Sequence, residues 1–178
     1  MEYSFRTYCV ELVDSIPHNI YVLLLVLFCS SVVILLGLFG LKRGIIYSLW
    51  LLLFEYLYLL LGSTIIYRNV FRVTEKHFRP FWSYHSNSSD VITILPEHIM
   101  NVVVFIPVGL LIGILLKNGS LLKTTLFGFA FSCLIESLQF LFKRGTCEID
   151  DVMNNTLGCF IGASVIYITR KVITIYKY

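Results

Sequence analysis

Polar side chains recur at helical spacing inside the apolar parts of this 178-residue sequence. They are Ser132, Glu136, Gln139 and Lys143, at steps of four, three and four, and the pairs Glu97 with Asn101 and Asp151 with Asn155, each four residues apart. Such spacing places each set on one face of a helix. Carboxylates and amides arranged in this way can exchange protons or hydrogen-bond a polar ligand. We therefore treat them as candidate binding and catalytic groups.

The composition defines the elements that must position these groups. Hydrophobic residues make up 57% of the chain and charged residues 14%, and the mean hydropathy is +0.82. These values exceed those of soluble domains and indicate a membrane protein that crosses the bilayer several times. The net charge of +3 is small and dispersed, which excludes a nucleic-acid-binding surface.

Five apolar stretches are long enough to cross the membrane. They run from about Ile20 to Leu41, Gly44 to Ile66, Ile99 to Leu116, Leu122 to Phe142 and Val152 to Thr169. The predicted fold is an all-α, multi-pass transmembrane bundle. Its predicted parts are a polar N-terminal segment (1–19), two transmembrane helices (20–66), and a domain (67–178) with a loop (67–98), three transmembrane helices (99–169) and a basic tail.

The positive charges decide the predicted orientation. With five spans, equal numbers of Lys and Arg residues fall on the two sides. One set occupies very short turns and the tail, where the positive-inside rule is most reliable. We therefore predict an external N-terminus and a cytoplasmic C-terminus.

The candidate polar groups are predicted to meet at one membrane face. Because neighbouring spans are antiparallel, the start of span three, the end of span four and the start of span five lie together. Glu136 lies roughly 9 Å inside its helix end, where a carboxylate must be protonated, paired or in a water-filled cleft, since a charge in hydrocarbon costs at least ~2.5 kcal/mol. The sequence predicts either a polar cleft or a set of hydrogen bonds that only holds the helices together.

The loop that precedes span three combines cations with aromatic residues. These are Arg68, Arg72, Lys76 and Arg79, and Phe78, Phe81 and Trp82. The loop is predicted to cover the cleft as a lid and to bind a phosphate headgroup, or to be an ordinary interfacial belt. The four histidines show no ligand spacing, so we expect no metal and no cofactor.

Three segments resemble the signature blocks of the VanZ-like membrane protein family. They are NVVVFIPVGLLIG at Asn101–Gly113, IESLQF at Ile135–Phe140 and EIDDVMNNTLGCFIG at Glu148–Gly162, preceded by RPFWSYH from Arg79. The resemblance covers about half of the chain. It implies an association with resistance to the glycopeptide teicoplanin, for which the family is named.

The resemblance also implies which residues form the site. The polar positions of the family blocks fall on Asn101, Glu136, Gln139, Asp151 and Asn155, the residues that the helical spacing selects. Two positions depart from the family pattern. Glu148 stands where Asp is common, and Gly145 stands where Arg is frequent, with Arg144 one place earlier.

The predicted function is to lower susceptibility to teicoplanin-type glycopeptides at the outer face of a bacterial plasma membrane. A polar cleft would meet the drug or a lipid-linked cell-wall precursor, with membrane lipids as further partners. Its predicted binding residues are Asn101, Gln139, Asn155, Glu148, Glu97, Arg79 and Arg144. Two alternatives stay open: a hydrolase or transferase acting on a polyprenyl-linked sugar or phosphate, with Glu136 and Asp151 as its acid/base pair, and a small lipid transporter.

Overall fold

A computed structural model describes residues 10, 13–70, 76–82, 88–116 and 120–176, with the side chains of 88–94 left out of the description. Helices dominate. They are α1 (His18–Leu61), which continues into a π-helical turn (Gly62–Ile66), α2 (Ser88–Leu115), α3 (Leu121–Leu141) and α4 (Ile149–Ile175). Two short strands, β1 (Lys76–His77) and β2 (Cys147–Glu148), pair in parallel. Arg72, most of the segment 1–19 and the end of the tail lie outside the described residues.

Helix α1 folds back on itself at Gly40. This glycine has φ 70° and ψ 172°, a backbone conformation that other residues rarely adopt. Beyond it, a Cβ atom on Gly44 would lie 2.9 Å from the Leu36 Cα atom, although residues eight apart in a continuous helix are separated by about 12 Å. The 44-residue helix is therefore a hairpin of two antiparallel arms. The reversal lies just before residues 42–43, which separate the first two predicted spans, because glycine tolerates this geometry.

Four helices of the described chain are long and apolar enough to cross a membrane, and α1 with its π-helical turn has 49 residues. A single crossing needs about 20 residues, so the hairpin is long enough for two. The prediction of an all-α bundle with about five spans agrees with this architecture. Large apolar side chains cover the outside of the helices, as expected where they contact lipid.

Helix α2 begins earlier than predicted. It starts at Ser88, eleven residues before the predicted start of span three at Ile99, and continues through Pro96 and Pro107. Residues 95–115 of this helix form an apolar segment long enough to cross a membrane. The prediction ended the loop too late because Pro96 favours a loop in sequence, whereas neighbouring helices allow proline inside a membrane helix.

Helices α2 and α4 pack in parallel through glycines. A Cβ atom on Gly158 would overlap the Val102 carbonyl oxygen, and one on Gly162 would overlap that of Ile106. The two backbones are therefore in direct contact, as small residues allow between membrane helices. Helix α3 runs antiparallel beside α4, and a buried core joins all four helices: Leu53, Leu60, Phe105, Val108, Ile112, Ile135 and Cys159.

At the opposite end of the bundle, Arg170 of α4 caps the end of α2. Its guanidinium donates to the carbonyl oxygens of Leu116 at 2.8 Å and Ile114 at 2.9 Å. Replacing Arg170 with Gln should lower the free energy of unfolding by about 1–2 kcal/mol, because charged hydrogen bonds to otherwise unpaired carbonyls are lost. Thermal unfolding of the detergent-solubilised protein measures this. Lys171→Gln, at an exposed neighbour, is the control and should have little effect.

Candidate functional site

A cavity of about 590 Å³ opens among the ends of α1, α2, α3 and α4. This volume lies within the roughly 300–1,000 Å³ typical of small-molecule sites. Six of the predicted residues line it together: Glu97, Asn101, Glu136, Gln139, Asp151 and Asn155. They come from the start of α2, the end of α3 and the start of α4, as the antiparallel arrangement of the spans predicts. Apolar side chains also line the cavity, among them Leu60, Val104, Phe105 and Ile135.

Glu136 is held by groups from both sides. Its Oε2 atom accepts a hydrogen bond from the Glu148 backbone N–H at 3.1 Å. When its amide nitrogen points to the carboxylate, Gln139 donates to Glu136 Oε1 at 3.3 Å and accepts from Arg68 Nη1 at 3.1 Å. Gln139 thus connects the guanidinium to the carboxylate. Glu136 is only 4% exposed, so this partial compensation of its charge is needed for burial.

Asn101 and Asn155 each use an amide nitrogen within the site. Asn101 Nδ2 donates to Asp151 Oδ1 at 2.7 Å, which joins α2 to α4. Asn155 Nδ2 donates to Ser132 Oγ at 2.8 Å, which joins α4 to α3. The Oδ1 atom of Asn155 is buried and accepts no hydrogen bond from any described residue. Both predicted uses of these residues, as interhelical contacts and as cavity lining, are therefore present in the geometry.

The described part of the aromatic loop is fixed to the start of α4. Strand β1 pairs with β2, so Lys76 lies beside Cys147 and His77 beside Glu148. The Phe81 backbone N–H then donates to the buried Asp150 carboxylate at 2.6 Å. Acidic residues in the first turn of α4, where backbone N–H groups are unpaired, are also favoured by the helix dipole.

Removing the Asp150 carboxylate should release this segment. In Asp150→Ala, we expect the Phe81 amide to exchange hydrogen at least about tenfold faster, since a charge-assisted bond worth about 1.5–3 kcal/mol is lost. Hydrogen exchange read by mass spectrometry over residues 76–82 measures this. Asp150→Asn keeps an acceptor oxygen and should restore most of the protection. Equal exchange in wild type and Asp150→Ala would contradict the anchoring role.

Three predicted binding residues lie outside the cavity lining. The Glu148 side chain accepts from Thr146 Oγ1 at 2.7 Å, and only its backbone reaches Glu136. Arg144 donates to the Arg68 carbonyl oxygen. Arg79 is exposed.

The structure adds lining residues that the sequence prediction did not include in the site. They are Asp14, Ser15, Ser63, Thr64, Tyr67, Arg68 and Asn69. Arg68 belongs to the predicted group of loop cations, but nothing in its spacing separates it from the others. Among the described residues of that group, only Arg68 lines the cavity. The described basic residues of the loop, Arg68, Lys76 and Arg79, therefore do not converge as a phosphate cluster at this site.

Glu55 is a carboxyl group in the second arm of α1 that does not line the cavity. It is partly exposed, and its neighbour Tyr56 donates to the Val104 carbonyl oxygen at 2.8 Å. No His, Cys, Asp and Glu cluster in the described ranges could hold a metal ion. Glu55 is consequently a useful reference for the cavity carboxylates, because it is an acid of the same bundle outside the site.

The fold and the cavity define a polytopic α-helical membrane protein with a polar site at one end of its bundle. The chain belongs to the VanZ/LLP1 family, whose sequence model matches residues 20–170. The match includes the first two spans, for which the sequence resemblance rested on hydropathy alone. No solved structure matches the chain significantly.

A similar protein is "Protein VanZ" of Enterococcus faecium, which is 37% identical over 75 residues. The aligned region covers 42% of this chain and 47% of that protein, so it spans about half of the relative. These comparisons do not favour either alternative function. One is an interfacial hydrolase or transferase, and the other is a small lipid transporter.

Proposed function

We propose that this protein lowers the susceptibility of a bacterium to teicoplanin-type glycopeptides from the plasma membrane. The main supporting observation is that five polar residues of the family blocks, together with Glu97, line a single cavity of about 590 Å³. A set of interhelical contacts alone would fill such space, because membrane helices gain stability from close packing. A cavity of this size among polar groups instead suits a ligand.

The proposed ligand is the drug or a lipid-linked cell-wall precursor. Both are amphiphiles that meet a protein at the membrane surface. The cavity lining likewise combines carboxylates and amides with the apolar side chains of Leu60, Val104, Phe105 and Ile135. Phe78, Phe81 and Trp82 are 44–63% exposed near this end of the bundle, where aromatic side chains suit the interface with lipid headgroups.

The proposed orientation places the cavity at the outer face, with the N-terminus outside and the C-terminus in the cytoplasm. Single cysteines introduced at Phe78 and Tyr176 test this, because both side chains are exposed and they lie near opposite ends of the bundle. In intact cells a membrane-impermeant maleimide should label Phe78→Cys above the wild-type background and leave Tyr176→Cys unlabelled until lysis. The reverse pattern would place the cavity in the cytoplasm and overturn the proposal.

The function is tested in a sensitive Gram-positive host that expresses the chain. We expect the minimal inhibitory concentration of teicoplanin to rise several-fold over the host with an empty vector, and that of vancomycin to change little. Membrane accumulation is verified by immunoblot. No rise in teicoplanin resistance with normal accumulation would refute the proposed function.

A further inference from the structure

The hydrogen-bonding groups of the cavity indicate which part of a ligand it accepts, an inference that rests on the proposed function of the same site. Acids outnumber bases among the described lining residues: Asp14, Glu97, Glu136 and Asp151 face a single cation, Arg68. The Arg68 guanidinium donates to Gln139, which also contacts Glu136. Because Gln139 links Arg68 to Glu136, carboxyl groups remain in excess over cations among the described lining residues.

Several donor groups of the lining are also used within the protein. Asn101 and Asn155 direct their amide nitrogens to Asp151 and Ser132. Hydroxyl groups behave in the same way. Ser63 donates to the Leu60 carbonyl oxygen at 3.2 Å, Thr64 to the same oxygen at 2.6 Å, and the Tyr67 hydroxyl pairs with that of Tyr58 at 3.3 Å. An anionic ligand would therefore find few donors.

By contrast, one buried acceptor of the cavity accepts no hydrogen bond from the described part of the chain and is available to a ligand. Asn155 is 5% exposed and lines the cavity, and its buried Oδ1 atom has no hydrogen-bond partner within the described part of the chain. A buried acceptor without a partner costs about 1–3 kcal/mol, and a ligand that donates a hydrogen bond to it would recover this energy. The carboxylate oxygens in the same cavity supply further acceptors for ligand N–H and O–H groups.

We propose that the cavity binds a positively charged, hydroxyl-rich group attached to an apolar chain, the chemistry of an amino sugar glycolipid, and that it excludes phosphate. The ammonium group lies among Glu97, Glu136 and Asp151. A hydroxyl or ammonium N–H group donates to Asn155 Oδ1. The apolar chain contacts Val104, Phe105 and Ile135.

The test uses the full chain, purified in maltoside micelles, and isothermal titration with three octyl probes. These are octyl 2-amino-2-deoxyglucoside, its N-acetyl derivative and octyl phosphate. The first carries an ammonium group, the second has the same sugar without the charge, and the third is an anion on the same chain. We expect the amine to bind about tenfold or more tightly than the other two, since each factor of ten corresponds to about 1.4 kcal/mol.

Two variants test whether a carboxylate of the cavity causes the preference for the amine probe. Asp151→Asn keeps the side-chain shape and removes one charge, and we expect it to weaken amine binding about tenfold. Glu55→Gln removes a carboxyl group outside the cavity and should bind the amine like the wild type. Circular dichroism confirms that both variants fold. Equal binding of the amine and N-acetyl probes, tighter binding of octyl phosphate, or no binding of the amine to folded protein would overturn the assignment.

The result of the probe-binding experiment can be distinguished from the result of the teicoplanin-resistance experiment. If the chain protects against teicoplanin but prefers octyl phosphate, the ligand class is wrong and the resistance function stands. If it binds the amine and gives no protection, the ligand class stands and the resistance function fails.

Discussion

Replacing Gly158 with leucine should prevent the bundle from folding. A Cβ atom at this position would overlap the Val102 carbonyl oxygen and lie 3.0 Å from the Phe105 Cβ atom. The obstacle is backbone, which cannot move aside as a flexible side chain can, so α2 and α4 must separate. Overpacking in a well-packed core costs about 1–3 kcal/mol, and we expect a loss above this range. Membrane accumulation and thermal unfolding in detergent measure it.

The matched control is Gly37→Leu, in the first arm of α1, where a Cβ atom would meet no described atom within 4 Å. It adds the same side chain to a helical glycine and should accumulate like the wild type.

Helix α3 also packs closely against α4. Cys159 is fully buried, and a Cβ atom added to Gly128 would lie 2.6 Å from its Sγ atom. A stable Gly158→Leu protein with native unfolding would contradict the direct contact of α2 with α4.

Replacing Asn101 with leucine should abolish protection against teicoplanin while leaving a folded protein. The change removes the donor to Asp151 Oδ1, which lies 2.7 Å away, and places apolar atoms at the cavity wall. Loss of a partner for a buried polar group costs about 1–3 kcal/mol, which lowers stability without preventing assembly. Every proposed ligand needs this wall to be polar. We therefore expect the minimal inhibitory concentration of teicoplanin to return to that of the host.

Val103→Leu is the control for this experiment. Val103 is 45% exposed on the outside of the same helix, so the substitution adds an apolar side chain away from the cavity. It should retain wild-type protection. Membrane accumulation of both variants is compared, so that loss of protein is not mistaken for loss of function. Full protection by a well-expressed Asn101→Leu protein would mean that the cavity wall has no part in resistance.

The convergence of the helical polar residues is predictable from the sequence. Residues three or four apart share a helix face, and antiparallel spans bring alternate ends together. These two facts are sufficient to bring the three polar stripes to one end of the bundle. They do not predict the individual pairs, Asn101 with Asp151 and Asn155 with Ser132. Hydropathy is likewise sufficient for the apolar helices, because the membrane requires about 20 apolar residues in each.

The contributions of irregular segments are not predictable in this way. Arg68 follows the π-helical turn, and Asp14 and Ser15 precede α1, so no periodicity assigns them a face. The parallel pairing of β1 with β2 joins residues 71 positions apart through backbone hydrogen bonds, which side-chain pattern does not encode. The contact of Arg144 is not predictable for the same reason, because its partner is a backbone oxygen of Arg68.

Substitution of Glu136 gives the most direct test that the cavity is required for resistance. The measurement is the minimal inhibitory concentration of teicoplanin for hosts expressing wild type, Glu136→Gln or Glu55→Gln at equal membrane levels. Glutamine keeps the size of the side chain, but it removes the charge that Gln139 connects to Arg68. We predict that Glu136→Gln loses protection and Glu55→Gln keeps it. Equal protection by all three proteins would contradict the account and leave Glu136 a contact between helices.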